Sequence, residues 1–301
     1  AEDYRDDIRI SEETLARLSE SYRKIRNTAR FMLGNLFDFE PGRHAVPVRE
    51  RSELDRWAML RLARLIEKLR QAYDGYEFHV VYHRALDFCV VDMSSVYLDV
   101  LKEILYVSAP DAPARRSAQT TLYEILHALT RLLAPILSFT TEDIWHWIPD
   151  HEGKPESVHL CSLPDPDPSW DDTDLEERWE KVFQFRQEVS KALEIARTEK
   201  KIGHALDAWV RVAPPDGWGE FLETFPFSLR QLCIVSEVTV EKGLEGENVF
   251  QSEEVPGLAI RVGKARGDKC NRCWVYCPSV GSHSEHPSVC DRCVEELKQI
   301  S

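Results

Sequence analysis

Apolar residues at Leu15, Leu18, Tyr22, Ile25, Ala29, Met32, Leu33 and Leu36 recur at three- and four-residue intervals, which predicts an amphipathic helix over residues 11–37. Ser11 suits its N-cap, with Glu12 and Glu13 in the first turn, and Pro41-Gly42 ends it. A second helix is expected from Ser52, whose spacing to Asp55 resembles a capping box, through Leu54, Ala58, Leu62, Ile66, Leu69 and Tyr73 to Gly75. The helical period continues over residues 77–107, weakest around 92–95, and Pro110 and Pro113 stop it. Residues 117–148 are helical again, with a kink expected at Pro135. Short connections between long amphipathic helices predict an antiparallel bundle.

The pattern then changes. Leu163-Pro-Asp-Pro-Asp-Pro168 reads as a stiff linker. Asp174 can cap a long helix carrying Leu175, Trp179, Val182, Val189, Leu193 and Ala196, expected to end at a left-handed Gly203. Residues 208–212, 232–240 and 258–262 read as strands, with a short helix over 218–225. The expected architecture is multi-domain and mainly α. A helical bundle (1–165) leads to an α+β junction with a long helix (166–265), and a four-cysteine module (266–301) follows.

Composition narrows the function. In 301 residues, 52 acidic against 38 basic side chains give a formal charge of −14, so any nucleic-acid binding must use local patches. No apolar run is long enough to span a membrane, and the charged start is no signal peptide. The chain opens at Ala1 without an initiator methionine, which predicts a fragment. Eight cysteines, four of them scattered (Cys89, Cys161, Cys233, Cys277), suggest a reducing compartment. His79, His83 and His127 have no cysteine or carboxylate cluster around them and read as packing or surface residues.

The strongest chemical signal is at the end of the chain. Cys270-x-x-Cys273 and Cys290-x-x-Cys293 have the spacing of a four-thiolate zinc site, in which each two-residue spacer lets both sulfurs face one tetrahedral centre. Two disulfides are the alternative pairing, and Cys277, His283 or His286 in the intervening loop could displace one ligand. Four thiolates leave no water position, so the metal is structural rather than catalytic. Arg261, Lys264, Arg266, Lys269 and Arg272 stand against the single anion Asp268, and Trp274 follows the second cysteine. Cations beside an aromatic suit phosphate contact and base stacking. A solvated basic strand, with Trp274 as the core of the small module, is the other reading. On the first helix Arg23, Arg26 and Arg30 share a face with Asn27. That stripe suits RNA or merely a solvated surface.

With these residues placed, the chain resembles the C-terminal part of bacterial isoleucyl-tRNA synthetases. The resemblance is carried by the stretch at residues 3–11, Tyr22-Arg-Lys-Ile-Arg-Asn-Thr-Ala-Arg-Phe31, Leu54-Asp-Arg-Trp57, Glu142-Asp-Ile-Trp145, Glu199-Lys-Lys-Ile-Gly203 and Lys269-Cys-Asn-Arg-Cys-Trp274 with its second cysteine pair. The helical part is shared with the valine and leucine enzymes, and the zinc module points to isoleucine. The resemblance implies recognition of the isoleucine tRNA by a cytoplasmic, monomeric synthetase with one structural zinc. Arg272 and Trp274 would read anticodon bases, Arg26, Asn27, Arg30 and Phe31 would form a second surface, and Lys264, Arg266 and Lys269 would hold phosphates. ATP and magnesium would belong to catalytic and editing domains outside this sequence, since neither ATP signature of the family occurs in it. The competing functions are a zinc-ribbon adaptor or protein-interaction module without RNA specificity and the equivalent part of a related valine or leucine synthetase.

Overall fold

The computed structural model describes residues 2–5, 7 and 10–300; Asp6, Ile8 and Arg9 of the stretch quoted above lie outside the described residues. Contacts divide the chain into two compact units, one of residues 1–101 and 111–173, the other of residues 102–110 and 174–301.

The first unit is helical. Helix α1 (Glu12–Gly34) starts where Ser11 Oγ accepts from the Thr14 amide. After the single turn α2 (Pro41–His44), α3 (Glu53–Asp74) begins at Ser52, whose hydroxyl accepts from the Asp55 amide and donates to the Asp55 carboxylate. Helix α4 (Phe78–Asp87) continues into a π-helical stretch, Phe88–Tyr97, and then α5 (Leu98–Val107). Ser94 and Ser95 donate to the carbonyls five residues back, Cys89 and Val90, which suits the wider π turn. Helix α6 (Pro113–Leu133) opens on proline at its first position, and α7 (Ser138–Trp147) follows. Pro135 therefore separates two helices instead of kinking one. Without an amide hydrogen it cannot continue the ladder, and the Leu137 amide closes a final turn on Leu133.

Apolar faces of α1, α3 and α6 supply the core: Met32, Leu54, Leu62, Ile66, Leu122 and Ile125 are fully buried. Within it, Asp55 accepts from Tyr97 Oη at 2.5 Å and from Ser52 and Ser117 at 2.8 and 2.5 Å. Burial pushes its carboxyl up, against the opposing effect of these donors. The Pro-rich run expected as a stiff linker lies against α3: Arg70 donates to the Leu163 and Pro164 carbonyls and pairs with Asp165 at 3.0 Å. The run belongs with the first unit, and the division falls after Thr173.

The second unit is built on α8 (Thr173–Thr198) and a four-stranded sheet. Strand β1 (Ala208–Ala213) is followed by the short helices α9 (Gly219–Glu223) and α10 (Leu229–Cys233), then by β2 (Glu237–Val240), β3 (Phe250–Gln251) and β4 (Ala259–Lys264). The sheet order is β2-β1-β4-β3, with β1 parallel to β2 and antiparallel to β4, Val210 facing Val238 on one side and Val262 on the other. Ala208, Val210 and Val212 pack with Phe185, Val189 and Leu193 of α8. Two local expectations change. Lys200, φ 60°, takes the left-handed position after α8, and the Lys201 amide bonds Ala196, so the helix has ended before Gly203. Residues 229–233 are helical because Ser228 caps them, and Ile234 at φ 55° turns the chain before β2 starts.

Candidate metal centre and nucleic-acid surface

The terminal module grows out of β4. Gly267, at φ +83°, makes the turn into β5 (Asp268–Lys269), and a Cβ there would lie 2.4 Å from the Cys277 carbonyl carbon, so only glycine fits. Strand β5 pairs with β6 (Tyr276–Cys277), and the loop between them carries the first cysteine pair. The second pair stands at the start of α11 (Asp291–Lys298), with Cys290 at the N-cap.

These loops bring Cys270, Cys273, Cys290 and Cys293 together with all four sulfurs within 4.8 Å of one another. Cys270 Sγ is 3.7 Å from Cys293 Sγ, and Cys273 Sγ is 3.8 Å from Cys290 Sγ. Zinc–sulfur bonds of about 2.3 Å give a tetrahedron with edges of about 3.8 Å, so the donor set fits a four-coordinate ion. The same separations are nearly twice the length of a disulfide, about 2.05 Å, and all eight cysteines are free. Cys293 is pushed down to about 5, chiefly by the thiol of Cys273 donating to it, and Cys290 is pushed up to about 11, chiefly by burial. Cys277 lies beside Ser279 at 3.2 Å and His283 beside Asp291 at 2.8 Å; neither they nor His286 join the cluster.

The module's small core holds Val289 and Val294 with the cysteines, and Val107 from the end of α5 joins it. Glu103, one turn earlier, accepts from Arg230 at 2.6 and 3.0 Å, from Gln231 at 3.0 Å and from Arg292, which lies between the last two cysteines. The Ala109 amide donates to Glu296 of α11 at 2.7 Å. Periodicity and motif spacing carry no trace of Glu103 or Val107, because their partners are more than a hundred residues away.

Trp274 is 59% exposed and so stands outside that core. Its backbone is left-handed, φ 65°, and pinned on both sides, its own amide bonding Cys270 and the Val275 carbonyl accepting from the Cys270 amide. Lys269 Nζ lies 5.2 Å from its ring centroid. Arg272 is half-buried and donates to the Cys293 carbonyl at 3.3 Å, so its guanidinium is tied to the cluster. Lys264 and Arg266 are exposed and have no ion-pair partner among the described residues. On α1, Arg26, Asn27 and Arg30 are exposed, Phe31 is half-buried, and Arg23 is paired with Glu20. Burial pushes the Cys89 and Cys233 thiols up to about 12, which makes them inert packing groups.

A helical bundle that offers exposed arginines, followed by a cysteine-ordered module that offers an aromatic ring, invites comparison with known proteins. The family described as the anticodon-binding domain of tRNA ligase matches residues 55–213. The chain belongs to this family. A second family, the zinc finger found in FPG and IleRS, matches residues 267–295, which contain all four clustered cysteines. Relatives agree along nearly the whole sequence. The isoleucine–tRNA ligase of Syntrophotalea carbinolica is 51% identical over 302 residues, that of Geobacter sulfurreducens 48% over 299, and that of Moorella thermoacetica 45% over 302. Each match covers 99% of this chain and 32% of the relative, so the chain spans about a third of the length of these ligases. No helix among the described residues is long and apolar enough to cross a membrane.

Proposed function

We infer that this chain is the tRNA-recognition part of an isoleucine–tRNA ligase and binds the anticodon stem and loop of the isoleucine tRNA. What carries the reading is the joining, in one chain, of an anticodon-binding family match to a zinc-finger match named for FPG and IleRS, together with the similarity to the three isoleucine–tRNA ligases above. The helical bundle occupies residues 1–165, the junction 166–265 and the terminal module 266–301. A single zinc held by Cys270, Cys273, Cys290 and Cys293 supplies charge neutralisation for four thiolates and fixes the two loops that carry them. Those loops hold Arg272 and Trp274 beside one another, and exposure of the ring supports stacking on an unpaired base. Lys264, Arg266 and Lys269 hold phosphates, and Arg26, Asn27, Arg30 and Phe31 form the surface on α1.

On this reading the ATP- and magnesium-dependent activation of isoleucine and its transfer belong to catalytic and editing domains of the parent protein, a cytoplasmic monomer. The chain alone catalyses neither step. The test compares affinities for isoleucine tRNA and an anticodon-swapped tRNA. Trp274→Ala is expected to lose about 5- to 150-fold on the matched tRNA, the equivalent of ~1–3 kcal/mol per stacked base, and little on the swapped one. Lys264→Ala weakens both alike and lowers the salt dependence by about one ion. Equal loss on both tRNAs for Trp274→Ala, or isoleucine activation by the chain alone, overturns the reading. Absence of salt-sensitive tRNA binding favours the protein-adaptor alternative.

A further inference from the structure

Four thiolates around a divalent ion leave two negative charges in excess. Cys270, Cys290 and Cys293 are buried, so solvent screens that excess poorly. The surroundings of the cluster show a source of compensating charge. Arg230 of α10, Arg272 of the first cysteine loop and Arg292 between the last two cysteines are all half-buried. Among the described residues only one carboxylate, that of Glu103, is bonded to any of the three. The acids beside the cysteines, Asp268 and Asp291, are exposed, and Asp291 faces His283 at 2.8 Å.

Arg272 and Arg292 belong to the cysteine loops themselves. Arg230 comes from another element, and its position is fixed from several sides. The Leu232 carbonyl accepts from Arg186 Nε of α8 at 2.9 Å, and Leu232 and Cys233 are buried. Just after α10, Ser236 Oγ accepts from the Tyr276 amide of β6 at 2.8 Å, which locks the same stretch to the module. Glu103 grips the guanidinium at two points, 2.6 and 3.0 Å, and so sets its plane. Burial pushes this guanidinium down, and the sulfurs of Cys273, Cys290 and Cys277 act in the opposite sense.

We propose that Arg230, oriented by Glu103, is an outer-sphere residue of the zinc site, whose charge stabilises the four thiolates and sets how tightly the ion is retained. It is a positioning residue and bonds no metal. The inference rests on the four-cysteine zinc reading and extends that site to α10 and to the end of α5. Retention of the ion then depends on three separate stretches of the second unit, not on the cysteine loops alone.

The experiment uses the whole chain loaded with zinc, and with cobalt(II) as a spectroscopic probe of the same sulfurs. Zinc affinity is read by competition with a chromophoric chelator, and the sulfur-to-cobalt charge-transfer band by absorbance. Arg230→Gln is expected to weaken zinc about 10- to 100-fold. It is also expected to move the band to longer wavelength, because thiolates that have lost a neighbouring cation give up electron density more easily. Arg230→Lys keeps the charge and is expected to keep the band. Glu103→Gln retains an acceptor for the arginines but removes the negative charge, so the band should move to shorter wavelength. The opposite signs are decisive, since either substitution breaks a purely structural ion pair in the same way. A band unmoved in Arg230→Gln or in Glu103→Gln, or moved in the same direction by both, overturns the proposal even where zinc affinity falls. Zinc affinity equal to the parent's in Arg230→Gln also overturns it and leaves the four-cysteine site standing. Failure of the unaltered chain to bind either ion overturns both.

Discussion

Removing the Glu103 side chain tests how the cysteine module is held. Its carboxylate accepts from two N–H groups of Arg230, from the Gln231 amide and from Arg292, with side-chain exposures of 15% for Glu103, 22% for Arg230 and 38% for Arg292. Burial already pushes the Arg230 guanidinium down, so Glu103→Ala leaves a poorly solvated cation without its counter-charge. Loss of one partner from a buried pair costs about 3–5 kcal/mol; partial exposure here brings the expectation to about 2–4 kcal/mol. Arg292→Ala, at the solvated edge, is expected to cost about 0.5–1 kcal/mol. The loss falls on local opening of the module, so it is read by amide hydrogen exchange at Cys270, Val275 and Val294. Exchange there is expected to speed up roughly 30- to 900-fold in Glu103→Ala, with amides of α3 unaffected. Arg230→Ala added to Glu103→Ala is expected to cost less than about half of what it costs alone, because the pair has already been broken. A Glu103→Ala loss below about 1 kcal/mol, or additive effects of the two substitutions, would refute the assignment.

Other outcomes follow from sites described above. Burial holds the His127 imidazole down to about 3 from 6.5, while the unfolded chain takes up its proton near 6.5. Stability from this site is therefore complete above pH 6.5 and is lost as pH falls towards 3. After discounting for partial exposure, urea midpoints should report a loss of about 1 kcal/mol at pH 5, absent in His127→Phe. Tyr97→Phe removes the 2.5 Å donor to the buried Asp55 carboxyl and is expected to cost about 1.5–3 kcal/mol in chemical denaturation; a change under about 0.5 kcal/mol would sink the claim that this network joins α3 to the π-helical stretch. Metal content by mass spectrometry should remain one ion per chain in Cys277→Ser and vanish in Cys290→Ser, with the reverse result removing Cys290 from the ligand set. Chelation should release protection at residues 268–298 and spare the helices of the first unit.

Features set by neighbours in the chain were legible in the residues. The helical period placed α1, α3 and α8, the Ser11 and Ser52 hydroxyls marked two N-termini, and the two-residue cysteine spacers marked the cluster. Local competition produced the misreadings. Gly203 is the better left-handed residue, yet the helix ends earlier with Lys200 in that role, and residues 232–233 have strand-forming apolar character but follow a capping serine. Phe37 and Trp147 look like core residues by type, and only the anchoring of Asp38 and Trp145 turns them outward. Glu103 and Val107 were invisible for a different reason: their partners are set by the fold as a whole, and a single sequence does not encode a distant pairing in its spacing.

Because residues 102–110 belong with the second unit, they leave the ribosome long before their partners exist. From Val107 to Val294 the chain must grow by nearly two hundred residues, roughly 10–40 s of synthesis at ordinary rates. Throughout that interval Glu103 has neither arginine and Val107 has no cysteine-lined pocket. A segment that emerges late relative to α5 is thus the one that completes this early helix. A chain halted before Cys290 would leave the end of α5 uncovered, and a polypeptide beginning at residue 174 would lack the piece on which its cysteine module packs. The order of assembly is circular even though the chain is not.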